Sequence, residues 1–416
     1  MVAALNIAQK NAQLMKIALN VLRKKREWKQ QYANVCNKRT KAKNRIRDRQ
    51  YALRTMQEMT DFEFERMFRV TRSGFSKLLQ IIKPDMERSE LRAIASSGSA
   101  ITDVAALGAT LRYLAGGSYL DIAAFFGLDS VNFFNKNYVV WRVFDAINTR
   151  LPLGFSLDPE YLEQTAKEFS TYSHGRMKGC VMAIDGWVCK TRQPRKAEVG
   201  LCVSSYRNRK HCWGIICLAG CDARCRFNLF ASKWSGGTHD YLAWETCAFK
   251  KILEEQLPEP YYVIGDEAFV NTDNFLIPWS GRSLGLWKDS YNYHLSAMRQ
   301  CIERAFGILT NRWGIFWRPL ECQHKRWSQV CMVAAKLHNF CIDQKIAMPL
   351  GKYREDVFPG DVHEVIMNNE NRDGLTQEER NLMRSSGERN TRQAITNKMQ
   401  LNGWQRPLHA RVNSKA

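Results

Sequence analysis

The segment YYVIGDEAF (261–269) runs from an apolar stretch directly into an acid, Asp266, and AIDGWVCK (183–190) does the same at Asp185. Two short apolar runs, each closed by a carboxylate, predict two strands with an acid at the end of each. Apolar runs of this length recur at 181–184, 213–219, 227–231 and 261–264, separated by Asp-Gly, Gly-Cys-Asp and Gly-Gly turns. From about residue 296 to 343 the period lengthens. In SAMRQCIERAFGILTNRW (296–313), Met298, Ile302, Ala305, Phe306 and Leu309 recur at spacings of three and four, the pattern of an amphipathic helix. Glu303 falls beside that stripe. The expected fold is α/β, a mixed sheet flanked by helices.

Asp185, Asp266 and Glu303 stand in the order strand, strand, helix, and 36 residues separate the last two. Alone, each is a weak signal: Asp-Gly after a strand is most often a tight turn, a strand-end Asp is often a helix cap, and a helical Glu is usually solvated. Brought together, three carboxylates repel by roughly 4 kcal/mol per pair at 4 Å and an effective dielectric of 20. Such a cluster persists only around a cation, and oxygen-only ligands suit Mg²⁺ or Mn²⁺. The layout is that of a metal-dependent nuclease acting on DNA.

Charge points the same way. The 416 residues carry a formal net charge of +21. Residues 1–60 hold 15 Lys and Arg against Glu27, Asp48 and Glu58, so this arm, disordered or helical, supplies more than half of the net charge. A strongly basic chain with a concentrated basic arm implies a nucleic-acid partner. With 12 Trp, 20 Phe and 45% hydrophobic residues, the chain is long and apolar enough for two or three domains with cores. The 13 cysteines are odd in number and scattered, which argues for a reducing compartment and no disulfide framework. Cys221 and Cys225 lack the second matched pair that a zinc site needs, and read better as buried thiols. No run reaches the 18 or so apolar residues of a membrane span. Arg23-Lys24-Lys25-Arg26, followed after eleven residues by KRTKAK (38–43), reads as a two-part nuclear import signal. A mitochondrial presequence is the alternative, because no acid precedes Glu27, but serine and early arginine are missing.

Upstream of the strands, residues 61–165 read as an all-helical domain. Phe64, Met67 and Phe68, then Phe75, Leu78, Leu79 and Ile82, mark two short helices, with Thr71 as a cap between them and Pro84 ending the second. A third helix carries Val104, Leu107, Leu111 and Leu114 and stops at Gly116 and Gly117. The stretch SYLDIAAFFGLDSVNFFNKNYVVWRVF (118–144) has the shape of a helix-turn-helix: a short helix with Ile122 and Phe125, a turn at Gly127, and a longer helix capped by Asp129 or Ser130. Its polar positions would be Asn132, Asn135, Lys136 and Arg142. A helical hairpin that only packs against the following domain is the other reading. The nuclease domain would occupy 170–345. Residues 346–416 read as a polar, loosely attached tail in which Thr376 and Glu379 form the capping box of one late helix.

Six blocks, AIDGWVCKTRQP (183–194), SSYRNRKHCWGIICLAGCD (204–222), SGGTHDYLAW (235–244), GDEAF (265–269), IERAFGILTNRW (302–313) and VAAKLHNFCID (333–343), resemble in order and spacing the Harbinger-type DDE transposases and the nucleases derived from them. The similarity extends over roughly residues 60–345. It implies an RNase H-like fold with Asp185, Asp266 and Glu303 as catalytic triad and as ligands of two divalent cations, Mg²⁺ or Mn²⁺. Arg299 fills the family's arginine position on the same helical face as Glu303. His239 and Asp240 line the site, although Asp240 competes with Asp266 for the second triad position. Asp266 is preferred because it ends a strand and because its distance to Glu303 suits the class. His338-Asn339 reads as a packing or capping pair. Arg207, Arg209 and Lys210 would meet DNA phosphate. Seven residues after Glu303, where the family usually carries a lysine, stands Thr310, with Arg312 as a substitute DNA contact. The resemblance further implies an oligomer acting on DNA in the nucleus, with a separate Myb-like DNA-binding protein as partner. It leaves three readings open: a transposase, a nuclease that cuts without transposing, and a DNA-binding or chromatin protein that keeps only the fold.

Overall fold

The computed structural model describes residues 48–86, 101–130, 133, 138–281, 283–347 and 391–407, and before residue 48 only Asn20, Arg23, Lys24 and Glu27. The basic run KRTKAK (38–43), Asn132, Asn135, Lys136, Thr376 and Glu379 lie outside the described residues. The chain divides into two units, Met1–Asp48 with Leu91–Ala100, and Arg49–Glu90 with Ile101–Ala416. In the first, Arg23 and Glu27 pair at 3.6 Å one helical turn apart. All elements named below belong to the second. None of the described helices is long and apolar enough to cross a membrane.

Helices α1 (Gln50–Glu58), α2 (Asp61–Phe68), α3 (Arg72–Ile82), α4 (Asp103–Leu114), α5 (Tyr119–Phe125) and α6 (Val139–Arg150) come first. Their starts follow capping chemistry. Thr60 and Glu63 form a reciprocal capping box on α2, while the hydroxyls of Thr71 and Thr102 accept the N–H groups of Gly74 and Ala105, satisfying donors that a helix leaves unpaired at its first turn. α4 ends before Gly116, whose φ of +93° suits glycine. A side chain at 116 would also stand 2.9 Å from the backbone of Gly314.

The helix-turn-helix expectation needs correction in its second helix. α6 starts at Val139 with Tyr138 as its N-cap residue, not at Asp129 or Ser130; the Asp129 N–H is instead taken by the Tyr138 hydroxyl at 2.5 Å. Val139, Val140, Trp141, Val143, Phe144, Ala146 and Ile147 are all buried, so α6 is a core helix on most of its circumference. Arg142 donates to the Met86 carbonyl at 2.5 Å. Lys336 donates to the Asn148 carbonyl and Gln329 to the Asp145 carboxylate, both from a helix of the following region.

After α7 (Pro159–Tyr172) comes a five-stranded mixed sheet: β1 (Cys180–Lys190), β2 (Gly214–Cys221), β3 (Phe227–Ser235), β4 (Tyr262–Ile264) and β5 (Phe275–Leu276), in spatial order β3-β2-β1-β4-β5. β1, β2 and β3 are successively antiparallel, whereas β4 runs parallel to β1 and β5 parallel to β4. Between β3 and β4 lie α8 (Asp240–Glu245) and α9 (Ala248–Gln256), and after β5 come α10 (Leu286–Arg312) and α11 (His324–Asp343).

Side chains alternate between the faces of a strand, and here each face has its own core. Met182, Ile184, Leu218 and Val263 pack with Leu162, Trp244 and Leu253 of α7, α8 and α9. Ala183, Cys217, Ala219 and Ile264 pack with Met298, Ile302 and Leu309 of α10 and Val330 and Ala334 of α11. His338 and Asn339 fix α11 to β3. Asn339 exchanges two 2.8 Å hydrogen bonds with the Phe227 backbone, and the buried His338 pairs with the Cys225 carbonyl at 2.8 Å, the packing role expected of them. Cys221 and Cys225 are buried free thiols.

A loose tail is not what residues 391–407 form. Helix α12 (Thr391–Leu401) buries Ile395 and Met399. Trp279 donates its indole N–H to the Thr396 hydroxyl at 3.1 Å, Ser290 of α10 donates to the Trp404 carbonyl at 2.7 Å, and the Arg392 guanidinium lies 3.8 Å from the Trp279 ring centre. Two apolar residues four apart are too short a stripe to stand out in a polar stretch.

Candidate functional site

The strand register brings the acids together. Parallel pairing sets Ala183 of β1 beside Ile264 of β4, and two residues further along each strand are Asp185 and Asp266. Asp185 does not end its strand: β1 continues through it to Lys190, with Asp185 opposite Ala219 of β2. Asp266 does follow the end of β4, and its carboxylate accepts the Ala268 N–H at 2.9 Å, turning the loop beyond.

The Asp-Gly pair is strand and not turn, with Gly186 opposite Leu218 of β2. A Cβ at 186 would stand 2.0 Å from the Asp240 carboxylate. Glycine is present because another side chain fills that space. Asp185 lies on the face shared with Ala183 and α10, and Gly186 on the face shared with Ile184 and α8, so the site receives Asp240 from one side of the sheet and α10 from the other.

α10 is seated by apolar contacts. Met298, Ile302, Ala305, Phe306 and Leu309, the stripe expected from the sequence, are all buried, and Phe306 stacks on Trp187 of β1 with centroids 5.9 Å apart. That seating sets Arg299 near Asp185, with Glu303 one helical turn further along α10. Arg299 Nη2 is 3.2 Å from Glu303 Oε1 and 3.9 Å from Asp185 Oδ2.

Burial dominates the electrostatics. The Asp185 side chain is 19% exposed. Its pKa is pushed up to about 6 by burial, and the negative charges of Asp266 and Asp240 add to the shift; the Gly186 N–H and Arg299 oppose it. Asp240 is raised by burial and then by Asp266, against the attraction of Arg209 and His239. His239 itself is exposed and precedes α8 without a side-chain capping bond.

Arg209 sits in an exposed loop with Arg207 and Lys210. The buried Asn208 holds this loop by accepting the N–H groups of Lys210 at 2.9 Å and Cys212 at 3.1 Å. Of this tract, Arg209 is close enough to act on the charge of Asp240.

Among the described residues no group of three or more His, Cys, Asp or Glu side chains is drawn close enough to hold one metal ion. The donor set nevertheless fits a hard divalent cation: all donors are carboxylate oxygens, and the absent side chain at Gly186 makes the room in which Asp240 approaches the other acids. Glu303, 58% exposed, is engaged by Arg299.

Arg312 is not a DNA contact. It is 3% exposed and donates to the carbonyls of Arg69 at 3.0 Å, Ile346 at 2.9 Å and Ala347 at 3.3 Å. Its spacing of three from Leu309 puts it on the buried stripe, a signal present in the sequence but outweighed by its charge. Thr310 returns its hydroxyl to the Phe306 carbonyl at 2.9 Å. The seat of Asp240 over Gly186 is not legible in the sequence, because Asp-Gly between apolar residues is a strong turn signal.

Residues 184–339 match the family described as DDE superfamily endonuclease. The chain is also similar to Protein ALP1-like of Arabidopsis thaliana, 23% identical over 301 residues, 68% of this chain and 71% of that protein. No solved structure gives a significant match. Together with the six ordered blocks, these findings support, at modest identity, the place of the chain in the Harbinger-type, transposase-derived DDE family, with residues 184–339 as its DDE superfamily endonuclease domain.

Proposed function

We propose that the chain is a metal-dependent DNA endonuclease in which Asp185, Asp266 and Glu303 form the catalytic triad and Asp240 lines the site from the opposite face of the sheet. The observation that carries this reading is the β1–β4 register, which sets Asp185 alongside Asp266, with Glu303 joined to Asp185 through Arg299. The strand order and directions support an RNase H-like fold. Asp185, Asp266 and Glu303 would hold two divalent ions, Mg²⁺ or Mn²⁺. When bound, the ions would activate the attacking water and neutralise charge on the leaving 3′-oxygen. The chain's own share is positioning and charge. Arg207, Arg209 and Lys210 would meet the phosphate backbone, and the enclosure of Asp185 strengthens every charge interaction there by keeping water out. No covalent nucleophile is required.

A nuclease that cuts but transfers strands poorly is favoured over a full transposase by one local observation. Thr310 spends its hydroxyl on its own helix and Arg312 is buried, so neither position supplies the cation that this helix usually offers in the family. A nuclear location, an oligomeric state on DNA and a separate Myb-like partner belong to the same proposal and rest on the basic arm and the resemblance. The test is nicking of supercoiled DNA in Mg²⁺, Mn²⁺ or chelator. Nicking in either metal that chelator abolishes is expected; metal-independent nicking, or none under any condition with DNA still bound, contradicts the proposal.

A further inference from the structure

Arg299 stands between two of the proposed ligands. Its Nη2 reaches Glu303 Oε1 at 3.2 Å and approaches Asp185 Oδ2 at 3.9 Å, within hydrogen-bond range of the first and only within ion-pair range of the second. A structural arginine bridge typically uses both prongs of the guanidinium on its carboxylate. Here the Nε is buried without a hydrogen-bond partner, and the side chain is only 17% exposed, so water does not make up the deficit. The positive charge is therefore held near the acids by weak, incompletely satisfied contacts.

On the reading of the site as a divalent-cation centre, we propose that Arg299 is an internal stand-in for the cation. In the metal-free protein its guanidinium neutralises Asp185 and Glu303. Metal entry requires it to leave, and the released side chain, one helical turn from Glu303, is then free to take a phosphate oxygen of the DNA. Three features support exchange over permanent bridging. Asp185, Asp240 and Asp266 act on one another, with Arg299 joining Asp185 to Glu303 and Arg209 and His239 opposing the charge at Asp240. The acids as they stand do not close around an ion. And Glu303, the ligand that must move to close the site, is the exposed member held by Arg299.

The competing role, a positioning residue that aims Glu303 at the metal, makes the opposite prediction for metal affinity, so binding of Mn²⁺ without DNA separates the two. Free Mn²⁺ is counted by electron paramagnetic resonance in the full chain and in Arg299→Met, Arg299→Lys and Asp185→Asn, each first checked for a cooperative melting transition. Loss of the internal cation should tighten Mn²⁺ binding by Arg299→Met on the order of tenfold, while Arg299→Lys, which keeps the charge, stays near the parent. In Mn²⁺, binding of DNA by Arg299→Met should show a salt slope lower by about one than the parent, one phosphate contact having gone. Mn²⁺ binding that is unchanged or weaker in Arg299→Met overturns the stand-in role while leaving the nuclease proposal intact, provided that Asp185→Asn loses the ion. Absence of Mn²⁺ binding in the parent as well overturns both. Should Arg299→Met fail to fold, Arg299→Gln carries the same test.

Discussion

The carboxylate of Asp240 occupies the space that a side chain on Gly186 would need, with 2.0 Å between its Oδ1 and the position of a Cβ at 186. Neighbouring residues of β1 thus serve the site in opposite ways, Asp185 by presenting an acid and Gly186 by presenting nothing. Gly186→Ala should displace Asp240 and cost about 1–3 kcal/mol in denaturant unfolding, the usual range for overpacking. The double variant Gly186→Ala/Asp240→Ala should recover most of that loss. Additive losses in the double-mutant cycle would show that the two positions do not compete for space.

A second prediction concerns pH. The folded protein holds the Asp185 proton up to about pH 6, above the ordinary carboxylate value of about 3.9. A raised folded-state pKa contributes stability that is complete below the unfolded value and is lost as pH rises through the folded one. In chelator, ionised Asp185 is therefore a liability at neutral pH. Asp185→Asn should gain in melting temperature relative to the parent as pH goes from 4 to 7.5, whereas a difference that stays constant with pH contradicts the burial argument. Metal binding should weaken as pH falls through about 6, because the ligand must be deprotonated.

Arg312 and Arg209 should separate cleanly. Arg312→Met leaves the carbonyls of Arg69, Ile346 and Ala347 without their donor, at about 1–3 kcal/mol for each buried group left unpaired, yet should not alter the salt dependence of DNA binding. Arg209→Ala should barely change stability but lower the salt slope by about one. A lowered slope in Arg312→Met would return that residue to the DNA interface.

Much of the sheet and of α10 was legible because the governing signals are local. The apolar runs became strands, and the three-and-four spacing from Met298 to Leu309 became the buried stripe of α10. Where charge and burial conflict, local reading failed. Arg312 reads as a surface cation by its charge, although its spacing of three from Leu309 places it on the stripe that the helix buries. α6 starts at Val139 without a side-chain cap, and the Tyr138 hydroxyl instead reaches back to Asp129, a contact between residues nine apart that no capping rule contains. α12 owes its docking to Trp279 and Ser290, more than a hundred residues earlier. The proximity of Asp185 to Asp266 needed the parallel register, which periodicity alone does not specify.

Thr310→Lys would restore a cation one helical turn beyond the Phe306 contact. On the reading of a nuclease with impaired transfer, it should raise strand transfer more than it raises nicking when both products are quantified from one reaction. Equal increases would show that the position does not act on the transferred strand.

The most direct measurement is cleavage by Asp266→Asn set against Asp240→Asn, with DNA binding and melting temperature recorded on the same preparations. Asp266→Asn removes one charge and one proposed ligand at nearly constant size. It should abolish nicking in Mg²⁺ while binding DNA in chelator at least as tightly as the parent, and its melting temperature should hardly move. Asp240→Asn should retain residual nicking, since partners outside the ligand set typically cost about 10–100-fold. Full nicking by Asp266→Asn, or complete loss in Asp240→Asn while Asp266→Asn remains active, would contradict the triad proposed for this chain.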